Sequence, residues 1–225
     1  MKIRATLLAT TLLTSIAWGA EEEKTNIINS LHDIKKANAL IKHGQDMVKM
    51  CVDQKYQEVI NADFDLEYNA ISDPFKQSIY LANCMGAKAL SHCQLAEALN
   101  ESTSTADKKK KDEHYTEQEK YANIYLQAFK DQKFDSITTN EIGISYCVAM
   151  YKRAGDATGY RARNYFLDMK IGALSDSDRE KIPDLFERTF QYYSSAIARG
   201  VSIPSEKDTL NQVRFSLLSR YAEAY

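Results

Sequence analysis

Residues that break helices are rare in this chain, which has only 8 glycines and 3 prolines among 225 residues. All-β and α/β folds need turn residues at regular intervals, because each strand must be followed by a reversal of the chain. The long runs between breakers instead carry apolar residues at helical spacing. One stripe of this kind consists of Ile34, Ile41, Val48 and Val52. The sequence therefore predicts an all-α fold.

Capping signals predict where several helices begin and end. Ser72-Asp73-Pro74 predicts a helix start, because a capping side chain precedes a proline that suits the first turn. The segments from Thr138 to Glu141 and from Ser177 to Glu180 each fit a capping box. Gly155 predicts the end of the helix that Thr138 begins, with a new helix after it. Pro183 predicts that the later helix starts with a separate turn.

These signals divide the chain into about seven helices. The helix ends "YKRAG" at 151–155 and "AIARG" at 196–200 are similar, but no fixed repeat length relates the rest of the chain. We therefore expect an irregular bundle, with a degenerate array of helical hairpins as the alternative. Residues 100–113 contain no apolar residue larger than alanine and are predicted to form a polar loop between an N-terminal hairpin and the C-terminal helices.

The N-terminus has the three parts of a secretory signal peptide. Lys2 and Arg4 precede an apolar core at 5–17, and Ala17-Trp18-Gly19 places small residues where a signal peptidase needs them. The apolar core is too short to span a bilayer comfortably. We therefore predict a signal peptide at 1–19 and a single helical domain at 20–225, exported to the bacterial periplasm. Secretion beyond it and an uncleaved anchor are the alternatives.

Charge restricts the partners of the mature domain. Cleavage removes two basic residues of 29 and no acidic residue of 31, which leaves a net charge of −4. Nucleic acids and anionic lipids both attract cationic surfaces, so neither is an expected partner. No second apolar stretch approaches the length of a membrane-spanning segment. The expected partner is another envelope or secreted protein.

All four cysteines lie in the mature part, and an even number in an exported chain favours disulfides. Cys84 and Cys93 are nine residues apart, so one helix places them on opposite sides and about 13 Å apart along its axis. That separation exceeds the reach of a disulfide. If the first two long helices form an antiparallel hairpin, Cys51 and Cys84 are level with each other. We therefore predict the disulfides Cys51–Cys84 and, by elimination, Cys93–Cys147, with four buried thiols as the alternative.

No catalytic constellation can be recognised in the sequence. It contains no Gly-x-Ser-x-Gly elbow, no phosphate-binding glycine loop and no His-Glu-x-x-His. No two cysteines have the close spacing of a zinc site or of a redox pair. The histidines are scattered over three helices: His32, His43, His92 and His114. We predict no catalytic residue, no metal site and no cofactor, and a protein that is not an enzyme.

Tyrosine is the most informative residue type, with 14 in the chain. Tyrosine suits protein interfaces because it offers a large contact area and tolerates water. The best candidate contact surface is the predicted corner between the fourth and fifth helices: Tyr151, Arg153, Tyr160, Arg161 and Arg163.

This surface favours a non-enzymatic protein-interaction domain, such as an accessory, inhibitor or immunity-type binding protein. A carrier with a closed apolar cavity for a small ligand is the main alternative. An envelope-acting enzyme without a recognisable motif is the other.

Signal cleavage should be visible in fluorescence. Trp18 is the only tryptophan, so cleavage after Gly19 leaves a protein that emits through tyrosine alone. We expect no tryptophan emission from protein purified after export with its native N-terminus. Emission from Trp18 in that preparation would show that the chain had not been processed there, and the unprocessed precursor serves as the positive control.

Overall fold

The computed structural model describes residues 30–224 apart from 31, 65–70, 103, 131–140 and 202. All regular elements within these residues are helical, which confirms the all-α class. The predicted signal peptide and the capping residue Thr138 lie outside the described residues. No described helix combines the length and the apolar character that crossing a membrane requires. The elements are α1 (32–52), α2 (Tyr56–Asn61), α3 (Pro74–Glu97), α4 (Thr105–Lys130), α5 (Glu141–Lys170), α6 (Asp176–Arg179), α7 (Lys181–Gly200), a 3₁₀ turn (Pro204–Glu206) and α8 (Lys207–Ala224).

From α3 onwards, long helices that follow one another pair as antiparallel hairpins. Ser78 Oγ lies 3.0 Å from Tyr125 OH, and His92 Nδ1 lies 3.0 Å from His114 Nδ1. Residue numbers thus rise along α3 as they fall along α4. Three further helix pairs are antiparallel by the same criterion. The contacts that show it are Asp112–Arg161 and Lys108–Asp168 for α4 and α5, Thr158–Thr189 and Val148–Gly200 for α5 and α7, and Gly200–Leu210 and Tyr193–Ser216 for α7 and α8.

The first helix runs parallel to α3, so the predicted antiparallel hairpin between them is wrong. A Cβ added to Gly44 would lie 3.2 Å from Tyr80 Cδ2. Further along both helices, Cys51 Sγ lies 3.9 Å from the carbonyl oxygen of Ala87 and 3.6 Å from Ser91 Oγ. Residue numbers therefore rise together along α1 and α3.

A short helix reverses the chain between α1 and α3. Gln54, two residues after the end of α1, has a positive φ of 60°, which turns the chain out of the helical path. The chain then continues into α2, which is tied to α3 by the ammonium of Lys88. Lys88 Nζ donates to the carbonyl oxygens of Ile60 and Ala62 at 3.0 and 2.6 Å. These bonds satisfy carbonyls at the C-terminal end of α2, which have no partner within that helix.

The parallel arrangement also explains why the predicted disulfides are not found. All four cysteines are free thiols, and no two of them lie at disulfide distance. Cys51 contacts Ala87, one turn beyond Cys84, instead of facing Cys84. The pairing of Cys93 with Cys147 followed by elimination, so it loses its basis as well.

The central helix α5 is continuous through Gly155, where the sequence predicted a helix end. A Cβ at Gly155 would lie 2.6 Å from Cε1 of Tyr193, whose side chain is fully buried. The missing side chain thus lets α7 approach α5 closely, and Tyr193 OH donates to Asp156 Oδ1 at 2.7 Å beside it. Gly155 is a packing residue within the helix and not a terminator.

Two other boundaries differ from the predictions, and one agrees. Asp73 caps α3 by accepting from the backbone N–H of Phe75, with Pro74 in the first turn as predicted. The predicted polar loop at 100–113 is shorter, since α4 begins at Thr105. Ser175, not Ser177, caps α6, which is the separate turn expected before Pro183.

Close packing at Gly155 predicts opposite effects of one substitution at two glycines. Gly155→Ala should lower the free energy of unfolding by about 1–2 kcal/mol, because overpacking against Tyr193 outweighs the better helix propensity of alanine. Gly86→Ala is the matched control. Its Cβ would meet only the flexible end of Met150, at 3.0 Å, so stability should stay equal or rise by up to about 1 kcal/mol. Urea unfolding followed by circular dichroism distinguishes the two, and equal effects would refute the packing role of Gly155.

Candidate functional site

The first helix has two apolar faces. One face is buried against α3 and consists of Leu40, Gly44, Met47 and Cys51. The other face is the stripe found in the sequence, and most of it is open to solvent: Ile34, Val48 and Val52 are 56%, 38% and 75% exposed. An exposed apolar stripe costs free energy in water unless something covers it, so this face marks a candidate binding surface.

Part of the stripe forms the wall of an apolar groove between three helices. We call it the α1–α3–α5 groove. It has a volume of about 290 Å³ and is open to solvent along the side where Val52 projects. Its floor is α3, and its walls are α1 and α5. The lining residues are Val48, Cys51, Val52, Ala82, Asn83, Gly86, Ala87, Leu90, Tyr146, Ala149, Met150 and Arg153.

Small side chains on α3 create the depth of the groove. Ala82 and Gly86 lie on one face of the helix, because they are four residues apart, and Ala87 adjoins Gly86 in the lining. Larger side chains at these positions would bring the floor up to the level of Val48 and Met150 on the two walls. The helix spacing of small residues therefore shapes the site.

Three polar side chains line this apolar groove: Asn83, Tyr146 and Arg153. No side-chain hydrogen bond or ion pair to any of them occurs in the part of the chain that the structure describes. Burial lowers the pKa of the Arg153 guanidinium from its ordinary value, because a partly desolvated charge is disfavoured. An apolar site with a few polar groups is the usual composition of a ligand-binding site.

A hydrogen bond from α4 fixes the backbone at Arg153. Gln118 of α4 is 1% exposed, and its Nε2 donates to the carbonyl oxygen of Arg153 at 2.9 Å. This bond sets the register between α4 and α5, so it also determines which α5 side chains face the groove.

The five residues of the predicted contact surface lie on one helix but not on one face. Arg153 lines the groove, and Arg163 is exposed. Tyr151 is buried and hydrogen-bonded to Arg199, while Tyr160 stacks on Tyr115 with ring centroids 5.3 Å apart. Arg153 and Tyr160, seven residues apart, share one side of the continuous helix α5, whereas Tyr151 lies on the other side, so the predicted corner does not form.

Arg161 belongs to a partly buried ion-pair network between α4, α5 and α7. Its Nε donates to Asp112 Oδ1 at 2.8 Å, and its Nη1 lies 3.7 Å from Glu119. Glu119 also accepts from Arg188 Nη1 at 2.5 Å and from Tyr192 OH at 3.0 Å. Because both Glu119 oxygens face cations on other helices, this carboxylate holds α4, α5 and α7 together.

A histidine pair that the sequence did not predict lies between α3 and α4. The rings of His92 and His114 are 22 residues apart in sequence, and the antiparallel register brings their Nδ1 atoms within 3.0 Å. His92 also stacks on Tyr121, at 5.6 Å between ring centroids. Burial, with His114 close by, lowers the pKa of His92 to about 4. Burial also lowers the pKa of His114, with Lys110 nearby.

No protein-family model, curated protein or solved structure matches this chain. Among the described residues, no group of three or more His, Cys, Asp or Glu side chains is arranged to hold a metal ion. Function is therefore inferred from the chemistry of the α1–α3–α5 groove itself.

The histidine pair predicts an acid-sensitive fold. Both imidazoles have a lower pKa folded than unfolded, so the unfolded chain takes up protons first as the pH falls below about 6.5. Their contribution to stability is complete above that pH and is lost progressively towards pH 4, up to the order of 3 kcal/mol for His92.

Urea unfolding at pH 7 and 4.5 measures this loss. His92→Phe keeps a ring against Tyr121 but cannot be protonated, so we expect a smaller difference between the two pH values. His32→Gln, at an exposed position, should leave the difference unchanged. An unchanged difference in His92→Phe would contradict the assignment.

Proposed function

We propose that this protein is an exported, non-enzymatic interaction domain that binds an apolar segment of another envelope or secreted protein in the α1–α3–α5 groove. The observation that supports it is the open apolar groove, walled on one side by the exposed valines of α1. Grooves between helices commonly take an apolar stretch of a partner chain, because such a stretch buries its side chains against the floor.

The openness of the groove favours a protein segment over a small carried ligand. A carrier encloses most of the surface of its ligand within a largely closed cavity. Here Val52 remains 75% exposed, and the exposed apolar face continues along α1 to Ile34. A polymeric partner can cover both the groove and the neighbouring stripe, which a small ligand within about 290 Å³ does not do.

The carboxylates with the strongest contacts also favour binding over catalysis. Asp112 and Glu119 are held by Arg161 and Arg188, and Asp156 is held by Lys152. Because their oxygens contact cations of the same chain, these carboxylates are not free to contact a substrate. Export rests separately on the N-terminal pattern of basic, apolar and small residues.

Groove-dependent capture tests the proposal. The mature protein, fixed to a support, is incubated with a bacterial envelope extract, and captured proteins are identified by mass spectrometry. Val52→Asp places a charge in the groove, where it must be desolvated when a partner binds, so we expect at least a tenfold loss of the specific partner.

Two further variants make the capture interpretable. Val201→Asp is the matched control, since Val201 is 65% exposed and does not line the groove. Gly86→Leu should reduce capture by filling the floor. A partner that Val52→Asp and Gly86→Leu capture as well as the unaltered protein would show that the groove is not the binding site.

A further inference from the structure

We propose that the α1–α3–α5 groove binds the C-terminal end of its partner protein, with apolar side chains on the α3 floor and the free α-carboxylate on Arg153. This inference rests on the proposed function and names the class of segment that the groove takes. It is carried by the position, the surroundings and the hydrogen-bonding state of Arg153.

Arg153 is the cation of the groove and lies at one end of it. Among the lining residues that the structure describes, no other is charged. The three helices are mutually parallel, so the highest-numbered lining residue of each marks the same end: Val52, Leu90 and Arg153. The remaining lining on α1 and α5 extends from this end to Val48 and Tyr146. A bound segment thus has its apolar side chains on one side of the guanidinium only.

Among the described residues, no carboxylate forms an ion pair or hydrogen bond with the Arg153 side chain, although the charge of Asp156 is near enough to act on it. Asp156, one turn along α5, is taken by Lys152 Nζ at 2.6 Å and by Tyr193 OH at 2.7 Å. The partly buried Arg161, by contrast, has Asp112 at 2.8 Å. A partly desolvated guanidinium that no carboxylate contacts directly costs free energy. The C-terminal carboxylate of a bound segment would supply that contact through two parallel N–H···O bonds.

The other two polar side chains suit the backbone of such a segment. Asn83 offers both an amide donor and an amide acceptor, and Tyr146 offers a hydroxyl. An extended chain end needs partners for its N–H and C=O groups when it is removed from water. The three polar groups therefore match the polar groups of a peptide terminus, while the rest of the lining takes its side chains.

A peptide library tests this directly. Random decapeptides are displayed with free C-termini and selected on the mature protein. Selected sequences are synthesised with a fluorescein at the N-terminus, once as the free acid and once as the C-terminal amide. Fluorescence anisotropy then gives Kd for the unaltered protein and for Arg153→Gln, Arg153→Lys, Gly86→Leu and the charge-matched control Arg214→Gln, whose exposed side chain lies on α8.

We expect selection for apolar residues at the last positions and a Kd at least tenfold higher for the amide than for the acid. Arg153→Gln should raise Kd for the acid at least tenfold and change Kd for the amide less than twofold. Arg153→Lys keeps the positive charge but lacks the paired N–H donors, so its Kd for the acid should lie between the values of the unaltered protein and Arg153→Gln. Arg214→Gln should leave both values unchanged, and circular dichroism confirms that each variant is folded.

The possible failures are distinguishable. Two results would overturn the C-terminal assignment and leave the groove function standing. In the first, peptides lose binding to Gly86→Leu but bind the unaltered protein equally as acid and amide. In the second, the selected peptides require an internal Asp or Glu. If the acid still binds at least tenfold more tightly than the amide in both Arg153 variants, Arg153 is not the group that binds the carboxylate. If no peptide is selected, or Gly86→Leu has no effect, the proposed function fails together with this inference.

Discussion

The contact between Gly155 and Tyr193 is the constraint on which most of the structure depends. It places α7 against the middle of α5, and the bond from Tyr193 to Asp156 secures the same point. With α7 on this side, α5 is left with α4 on a second side and with the groove on a third. One helix thus serves both as part of the core and as a wall of the candidate site, so close packing in the core limits the movement of that wall.

Fold class could be predicted from the sequence because composition and periodicity are local properties. The scarcity of breakers and the cap at Asp73 depend only on neighbouring residues, and both predictions hold. Gly155 shows where local reasoning fails. A glycine after a basic turn is typical of a helix end, but whether a second helix packs on it is decided 38 residues later, at Tyr193.

The relative direction of α1 and α3 could not be predicted from the sequence either, because it also depends on contacts between residues far apart in the chain. The register of Cys51 against Cys84 assumed that α1 and α3 meet through a simple turn, and α2 makes that assumption wrong. The stripe through Val48 and Val52 was correctly identified as helical, yet it lies outside the core, because α1 carries a second apolar face. Arg153 was named from the sequence for its aromatic neighbours, whereas its position in the groove follows from the packing of α1, α3 and α5.

The parallel arrangement of α1 and α3 has a consequence for the order of assembly. Every later long helix has an antiparallel neighbour close in sequence, so those hairpins need only local contacts, which form quickly. In the described chain, α1 has no antiparallel neighbour of comparable length that is close in sequence. The long helix on which its buried face packs, α3, begins more than twenty residues after the end of α1. The first helix is thus synthesised before the long helix on which it packs, so its docking waits until α3 has formed, whereas each later hairpin can close as soon as its second helix is complete.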